Sequence, residues 1–260
     1  MKSTRESHCE EPYLMERLQR QRFELKYRIS EAKAQQIRFF VQNYLPCDSY
    51  GITQPDLSYS VNSLYLDSDE LKTFQDTING DRNRFKLRIR YYDYEDSPVY
   101  FEIKRRHNTV IRKKRAKVHR WAVKELLNGQ LPIMDYLVQE NAEQREALEE
   151  FSYLQNLLIA RPTMRVSYRR EAYEPVESNS VRITFDRDVS SCETKGAKVL
   201  SNESGNFKVF GDDVILELKF TDRFPNWLQE LTQLFHLRQE SAAKYVDSVE
   251  GLMFKRIEMA

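Results

Sequence analysis

Residues 84–91 constrain this chain more than any other stretch. Arg84, Lys86, Arg88 and Arg90 alternate there with Phe85, Leu87, Ile89 and Tyr91. A period of two is that of a β-strand, whose side chains point by turns to opposite faces. One face therefore carries four cations and the other four apolar groups. The apolar face needs a core to cover it. The cationic face needs counter-charge, because like charges side by side on a sheet repel.

The same pattern recurs elsewhere. Glu24, Lys26 and Arg28 oppose Phe23, Leu25, Tyr27 and Ile29, and Glu102, Lys104 and Arg106 oppose Val99, Phe101 and Ile103. Glu217 and Lys219 oppose Val214, Leu216, Leu218 and Phe220, while Arg182 alternates with Val181, Ile183 and Phe185. An antiparallel sheet with one face in water is a common arrangement, but such a face draws more Ser, Thr and Gln than these strands carry. A sheet closed into a barrel puts alternate residues inside. Its interior would be a basic tunnel with a few carboxylates, suited to a phosphate chain and a divalent cation.

The remaining elements follow from caps and punctuation. A strand over 23–29 leads to a helix capped by Ser30 and running to about Leu45, then a strand over 58–66. Asp67 or Ser68 caps a short helix that stops at Asn79-Gly80. Strands are expected over 84–93, 98–105 and 109–119, with a hairpin over Asp93–Pro98. Helices are expected over 122–128 and from Pro132 to Ile159. The acidic side of the second, with Glu143, Glu146, Glu149 and Glu150, reads as a solvated face. Strands over 163–174, 180–187, 197–200, 207–210 and 213–220 precede helices over 225–237 and 240–253. The class is α+β, with antiparallel strands and helices inserted between them.

Overall charge, +1, says little about partners, but its distribution says more. Arg82–Arg120 holds 14 Lys or Arg against 4 Asp or Glu, whereas Met134–Gln155 holds 6 acids against 1 base. Cys9, Cys47 and Cys192 are an odd set without a CxxC, which argues against a disulfide framework or structural zinc and for a reducing compartment. No apolar run approaches the roughly 18 residues of a membrane span, and the polar N-terminus lacks a signal peptide's apolar stretch. The cytoplasm is the expected location, with any membrane reached through a partner. Phosphate loops of the Gly-x-x-x-x-Gly-Lys-Ser/Thr type, dinucleotide fingerprints, nucleophile elbows and His-Glu-x-x-His are all missing.

Eight stretches in order resemble the VTC (vacuolar transporter chaperone) polyphosphate polymerase branch of the triphosphate tunnel metalloenzymes, a CYTH-like superfamily. They are Arg22-Phe-Glu-Leu-Lys-Tyr27, Asn62-Ser-Leu-Tyr-Leu-Asp67, Lys86-Leu-Arg-Ile-Arg-Tyr-Tyr92, Phe101-Glu-Ile-Lys104, Arg161 through Tyr173, Val181-Arg-Ile-Thr-Phe-Asp186, Leu216-Glu-Leu-Lys219 and Ser241-Ala-Ala-Lys-Tyr245. The resemblance implies a closed antiparallel eight-stranded β-barrel with inserted and C-terminal helices over residues 22–253, between a lead-in over 1–21 and a tail over 254–260. It implies transfer of the ATP γ-phosphate to a growing polyphosphate chain with release of ADP, aided by Mg²⁺ or Mn²⁺. It implicates Lys26, Arg88, Arg90, Lys104, Arg170, Arg182 and Lys244 as phosphate ligands and Glu217 as the metal ligand. Glu102 and Glu24 either join the metal or partner tunnel cations. Lys86, Lys219 and Arg165 are further substrate contacts, and Lys113 and Lys114 either guide a polyanion to the mouth or form a soluble hairpin tip.

Three departures shape that expectation. The hydrolytic branches carry Glu-x-Glu-x-Lys on the first strand, and Arg22 stands at the first of those positions. Alternation groups Arg165 with Ser167 and Arg169, and Arg170 with Val166 and Tyr168. Either a bulge turns Arg170 inward or Arg165 and Arg169 do its work. The eukaryotic relatives' regulatory domain and membrane helices have no counterpart here, so regulation and export fall to a separate membrane protein if they occur. Two other functions compete. One is a triphosphatase on the same fold. The other is a non-catalytic polyphosphate or RNA binder using Tyr91, Tyr92 and Tyr94 for stacking. Glu24, Glu102 and Glu217 among the cations argue against the pure binder, and DNA is not expected as a partner.

Overall fold

The computed structural model describes residues 22–92, 97–108, 110–176, 178, 180–194, 207–221 and 223–258. The lead-in over 1–21, the strand expected over 197–200 and Tyr94 lie outside these residues. Along the chain come β1 (Arg22–Ile29), α1 (Glu31–Val41), β2 (Ser58–Asp67), α2 (Lys72–Ile78), β3 (Asn83–Tyr91), β4 (Val99–His107) and β5 (Val110–Val118). They are followed by α3 (Val123–Leu127), α4 (Ala142–Leu158), β6 (Arg161–Tyr173), β7 (Val181–Glu193), β8 (Phe207–Lys208), β9 (Val214–Thr221), α5 (Asn226–Leu234) and α6 (Lys244–Glu258).

The strands form one antiparallel sheet in the order β1-β9-β7-β6-β2-β3-β4-β5, with β8 attached to β7. Among the described residues the expected barrel is therefore not closed by backbone pairing, since β1 and β5 are the ends of the hydrogen-bonded order. The sheet is nevertheless strongly curled. Six strand spacings separate β1 from β4, about 29 Å in a flat sheet, yet Glu24 Oε2 of β1 lies 3.5 Å from Lys104 Nζ of β4. An ion pair bridges where ladder bonds do not.

Apolar faces decide which side of each strand is interior. Leu64, Leu87, Ile89, Tyr91, Phe101 and Ile103 pack against α3 and α4 on the outer face. Tyr27, Ile183, Phe185, Leu216 and Leu218 pack outward against α1 and α5. Full burial of each such side chain contributes about 1.5–3 kcal/mol, so the polar residues at alternating positions are turned to the concave face. There Tyr59, Val61, Tyr65, Val166, Tyr168 and Ile215 meet Tyr245, Val246 and Val249 of α6, which occupies part of the hollow.

Two helices start later than their sequence signals implied. Residues 132–141 are irregular with a 3₁₀ turn at Met134–Tyr136, and α4 begins after Asn141, whose side chain accepts the Gln144 N–H at 2.8 Å. Asn141 is the true N-cap, and Pro132 opens only the approach to it. Residues 240–243 serve β1 instead of a helix. The Glu240 N–H donates to the Lys26 carbonyl at 3.0 Å, and the Ala242 carbonyl accepts from Lys26 Nζ at 2.9 Å. The acidic side of α4 is also not simply solvated. Glu150 accepts from Arg105 at 2.7 Å and Glu146 from Lys114 at 2.6 Å, so the acidic and basic regions of the sequence dock on each other outside the curl.

A candidate phosphate-binding tunnel

The concave face collects cations from six strands and one helix. Glu217 of β9 sits at one focus, with its side chain 6% exposed. Its Oε2 accepts from Lys219 Nζ at 2.6 Å and its Oε1 from Lys244 Nζ at 3.1 Å. Lys26 Nζ lies 3.6 Å from Oε1 and Arg170 Nη2 3.9 Å from Oε2. Burial alone would raise the Glu217 carboxyl. Lys219, Lys244, Lys26 and Arg170 outweigh it and hold the group well below the usual carboxylate range. Lys244 is the first residue of α6, where a cation opposes the helix dipole. A second carboxylate offsets this: Asp186 lies 2.7 Å from Lys244 and takes a forked pair from Arg170 at 2.7 and 2.8 Å.

Glu102 of β4 is the other focus. Arg88 donates to it from Nε at 2.8 Å and through Nη2, Lys113 Nζ pairs with its other oxygen, and Arg90 Nε lies 3.9 Å away. Against the effect of burial, Arg88, Arg90 and Lys113 hold its carboxyl below the usual range. Glu24 links the two foci, 3.3 Å from Lys26 and 3.5 Å from Lys104. Burial would raise it, but Lys219 and Lys104 bring it down to about 2. Among the described residues, Lys26, Lys86, Arg88, Arg90, Lys104, Lys113, Arg170, Lys219 and Lys244 thus share this face with Glu24, Glu102, Asp186 and Glu217. These nine cations outnumber the four carboxylates, and Asp247 near Lys86 offsets the surplus only in part.

The structure separates the other expected residues. Arg170 does face inward beside Tyr168, while Arg169 points out to Asp56 and Ser58. Beside this stretch the register irregularity lies in β7, where Asp188 has a φ of 52° opposite the even run Ser167–Arg169, so β6 keeps its alternation from Met164 to Arg170. Arg165 is 5% exposed and pairs across β2 with Leu64 of the outer core, on the face opposite Arg170. Lys113 and Lys114 also part: Lys113 joins Glu102, and Lys114 is held outside by Glu146 and Glu150. Arg182 shares the concave face as the cross-strand neighbour of Lys219, but its own partners are Glu174 and Asp48, the latter at 3.0 Å. Tyr91, a proposed stacking residue, is wholly buried in the outer core. Asp186 is a buried carboxylate of this face that no motif singles out, although it shares the parity of Arg182 in the two-faced β7.

Lys86 lies over the Tyr245 ring at 5.8 Å. Burial, then Lys104, Lys26 and Arg84, pulls its ammonium down to about 7. Burial likewise pulls Lys113 down to about 7 against the attraction of Glu102, although 41% of that side chain is exposed. A bound polyanion favours the protonated amine and raises this value. Affinity for a phosphate chain should therefore fall as pH rises above about 7, by up to about tenfold per unit for one lysine, until the bound-state value is passed. Calorimetry of tripolyphosphate binding at about pH 8, in buffers of different ionisation enthalpy, should register proton uptake. Heats independent of the buffer would contradict the assignment.

Among the described residues no three His, Cys, Asp or Glu side chains converge as a metal ligand set. A Mg²⁺ carried on phosphate oxygens needs only one or two protein carboxylates. Glu24 and Glu217, which share Lys26, fit that requirement. No helix among the described residues is long and apolar enough to cross a membrane.

An antiparallel sheet curled around a cation-lined hollow, with a C-terminal helix docked in it, is the architecture of the triphosphate tunnel proteins. Solved structures match it at low identity. A Hippeastrum adenylyl cyclase candidate, described as having a dominant triphosphatase activity, superposes with a TM-score of 0.50 at 13% identity, covering 88% of this chain and 95% of that one. A candidate adenylate cyclase from Bacillus halodurans gives 0.47 at 12% identity, covering 85% and 93%. A Pyrococcus horikoshii protein gives 0.41 at 11%, covering 90% and 99%. No curated protein matches the sequence. The chain belongs to the VTC domain family, whose signature spans residues 21–253.

Proposed function

We propose that this chain is a metal-dependent polyphosphate polymerase that transfers the γ-phosphate of ATP to the end of a polyphosphate chain and releases ADP. The supporting observation is the excess of cations over carboxylates on the concave face of a VTC domain. Arg88, Arg90, Lys104, Lys26 and Arg170 neutralise and align the phosphates, and Lys86, Lys113, Lys219 and Lys244 extend the grip. Glu217, with Glu24, would hold Mg²⁺ or Mn²⁺ on the substrate's oxygens, where the ion supplies further charge neutralisation. One P–O bond to the ADP leaving group breaks, and one forms to a terminal oxygen of the acceptor. That oxygen is already anionic, so no general base is needed. The inward carboxylates suit this, since their depressed pKa values make them weak bases. Arg182 acts at the mouth, and Arg165 and Lys114, on the outer face, have no direct part. Any membrane partner would supply export.

Hydrolysis, the activity given for the Hippeastrum protein, is the rival. Purified protein incubated with ATP and Mn²⁺ should form ADP and long chains on gels and in ³¹P spectra. Free phosphate in place of chains would establish the hydrolase.

A further inference from the structure

The β3 row of cations does not end on a cation. One more step at the same parity brings Tyr92, beyond Arg90. Tyr92 belongs to a cluster of aromatic rings at the end of the β3 row. Its ring is nearly parallel to that of Tyr50, at 7° and 6.0 Å between centroids, and meets Tyr100 edge-on at 6.2 Å. Tyr100 is the direct cross-strand partner of Arg90, and the Arg115 guanidinium lies over its ring at 5.1 Å. Tyr59 closes the cluster from beneath, 6% exposed and 5.7 Å from Tyr50.

This cluster is more than leftover core. Tyr50 is 53% exposed, although it sits in a tightly fixed loop. Asp48 Oδ1 accepts the Gly51 N–H at 2.8 Å, and Asp48 Oδ2 accepts from Tyr59 Oη at 2.8 Å and from Arg182 at 3.0 Å. Gly51 is required there, because a Cβ would stand 2.6 Å from the Leu57 carbonyl oxygen and 2.7 Å from Cys47 Sγ. A half-exposed aromatic ring on a loop pinned by a buried carboxylate is a ring held in position for something outside the chain.

We propose that Tyr50, Tyr92 and Tyr100, with Arg115, form a stacking subsite for the base of a nucleoside triphosphate whose phosphates lie along Arg90, Arg88 and Lys86. Two residues of strand advance about 6.7 Å, so phosphates gripped at Arg88 and Arg90 leave the sugar and base to reach the next position of the row. Stacking accepts any base with a π-face, and the guanidinium beside Tyr100 adds a cation–π contact. The subsite distinguishes a nucleotide from a bare phosphate chain, which has nothing to stack. It also assigns Arg182 a positioning role, since Arg182 and Tyr50 are joined through Asp48.

The inference rests on the proposed use of ATP, and its test reads binding instead of turnover so that the two can fail separately. Calorimetry would compare ATP with tripolyphosphate on wild type, on Tyr50→Ala/Tyr92→Ala, and on Tyr50→Phe/Tyr92→Phe. The alanine pair should weaken ATP about ten- to a hundredfold, the range of a lost base–aromatic stack, and leave tripolyphosphate within about twofold. The phenylalanine pair keeps both rings and should bind ATP like wild type, which separates stacking from loss of structure. Equal weakening of both ligands by the alanine pair, or its failure to weaken ATP, would overturn the subsite. A protein that discriminates as expected yet makes no polyphosphate would keep the subsite and lose the polymerase.

Discussion

Glu217→Gln is expected to cut turnover to no more than about a hundredth of wild type and to cost the ligand-free protein about 3–5 kcal/mol, the range for breaking a buried ion pair. The two effects have one source. Glu217 is nearly inaccessible and has Lys219, Lys244, Lys26 and Arg170 within 4 Å. A neutral amide leaves those cations facing one another with only Asp186 and Glu24 to balance them, and is also a poorer ligand for a hard divalent ion. The pH sign agrees. A carboxyl held below its unfolded value contributes its full stability above about pH 4.3 and loses it on acidification, so the loss is complete near neutrality. Tripolyphosphate supplies the missing anion and should restore part of the stability without restoring turnover. Urea unfolding with and without tripolyphosphate, alongside ADP release, measures both. Unchanged turnover and metal dependence would remove Glu217 from its catalytic assignment, and an unchanged unfolding midpoint would contradict its role as counter-ion.

The parts legible in the sequence are those where a two-residue period meets strong chemical contrast. β3 and β4 were readable to within two residues at their ends and in their facing throughout, because a slip of one position would turn Arg88 into the core and Ile89 out of it. The placing of Glu217, Glu102 and Lys26 on one face followed from the same parity. What escaped needs distances that sequence does not carry. The failure of β1 and β5 to pair is a property of curvature, and only the Glu24–Lys104 contact reveals how near the ends come. Lys113 and Lys114 are equivalent as sequence, but adjacent residues of a strand face opposite ways, so one reaches Glu102 and the other reaches α4. Arg165 and Arg170 posed the same choice, which unbroken alternation settles by turning Arg170 inward with Val166 and Tyr168, while the irregularity lies in β7, where no motif announces it. The start of α4 was misplaced because a proline at a plausible first turn outweighed Asn141, whose amide side chain caps the helix.

Arg88→Ala, set against Lys114→Ala, is the comparison that tests whether this face performs chemistry or merely docks a polyanion. Arg88 points into the hollow, paired with Glu102, with the Tyr65 hydroxyl 3.5 Å from its Nη1. Its guanidinium can follow charge as it shifts from the transferred phosphate to the leaving group. A donor so placed is worth about 3 kcal/mol in the transition state, which corresponds to a turnover loss of at least about a hundredfold. Tripolyphosphate affinity should fall much less, because Arg90, Lys86, Lys104 and Lys113 remain and the surplus of positive charge survives the loss of one cation. Lys114 lies on the same basic hairpin but outside, 43% exposed and paired with Glu146 and Glu150. Its replacement should leave turnover and affinity unchanged and alter stability by no more than about 1 kcal/mol. If Arg88→Ala lost affinity and turnover in equal measure, Arg88 would contribute ground-state binding alone. If the wild-type protein held polyphosphate tightly but formed no ADP from ATP with any divalent metal or primer, the hollow would be a docking groove and the cations its lining.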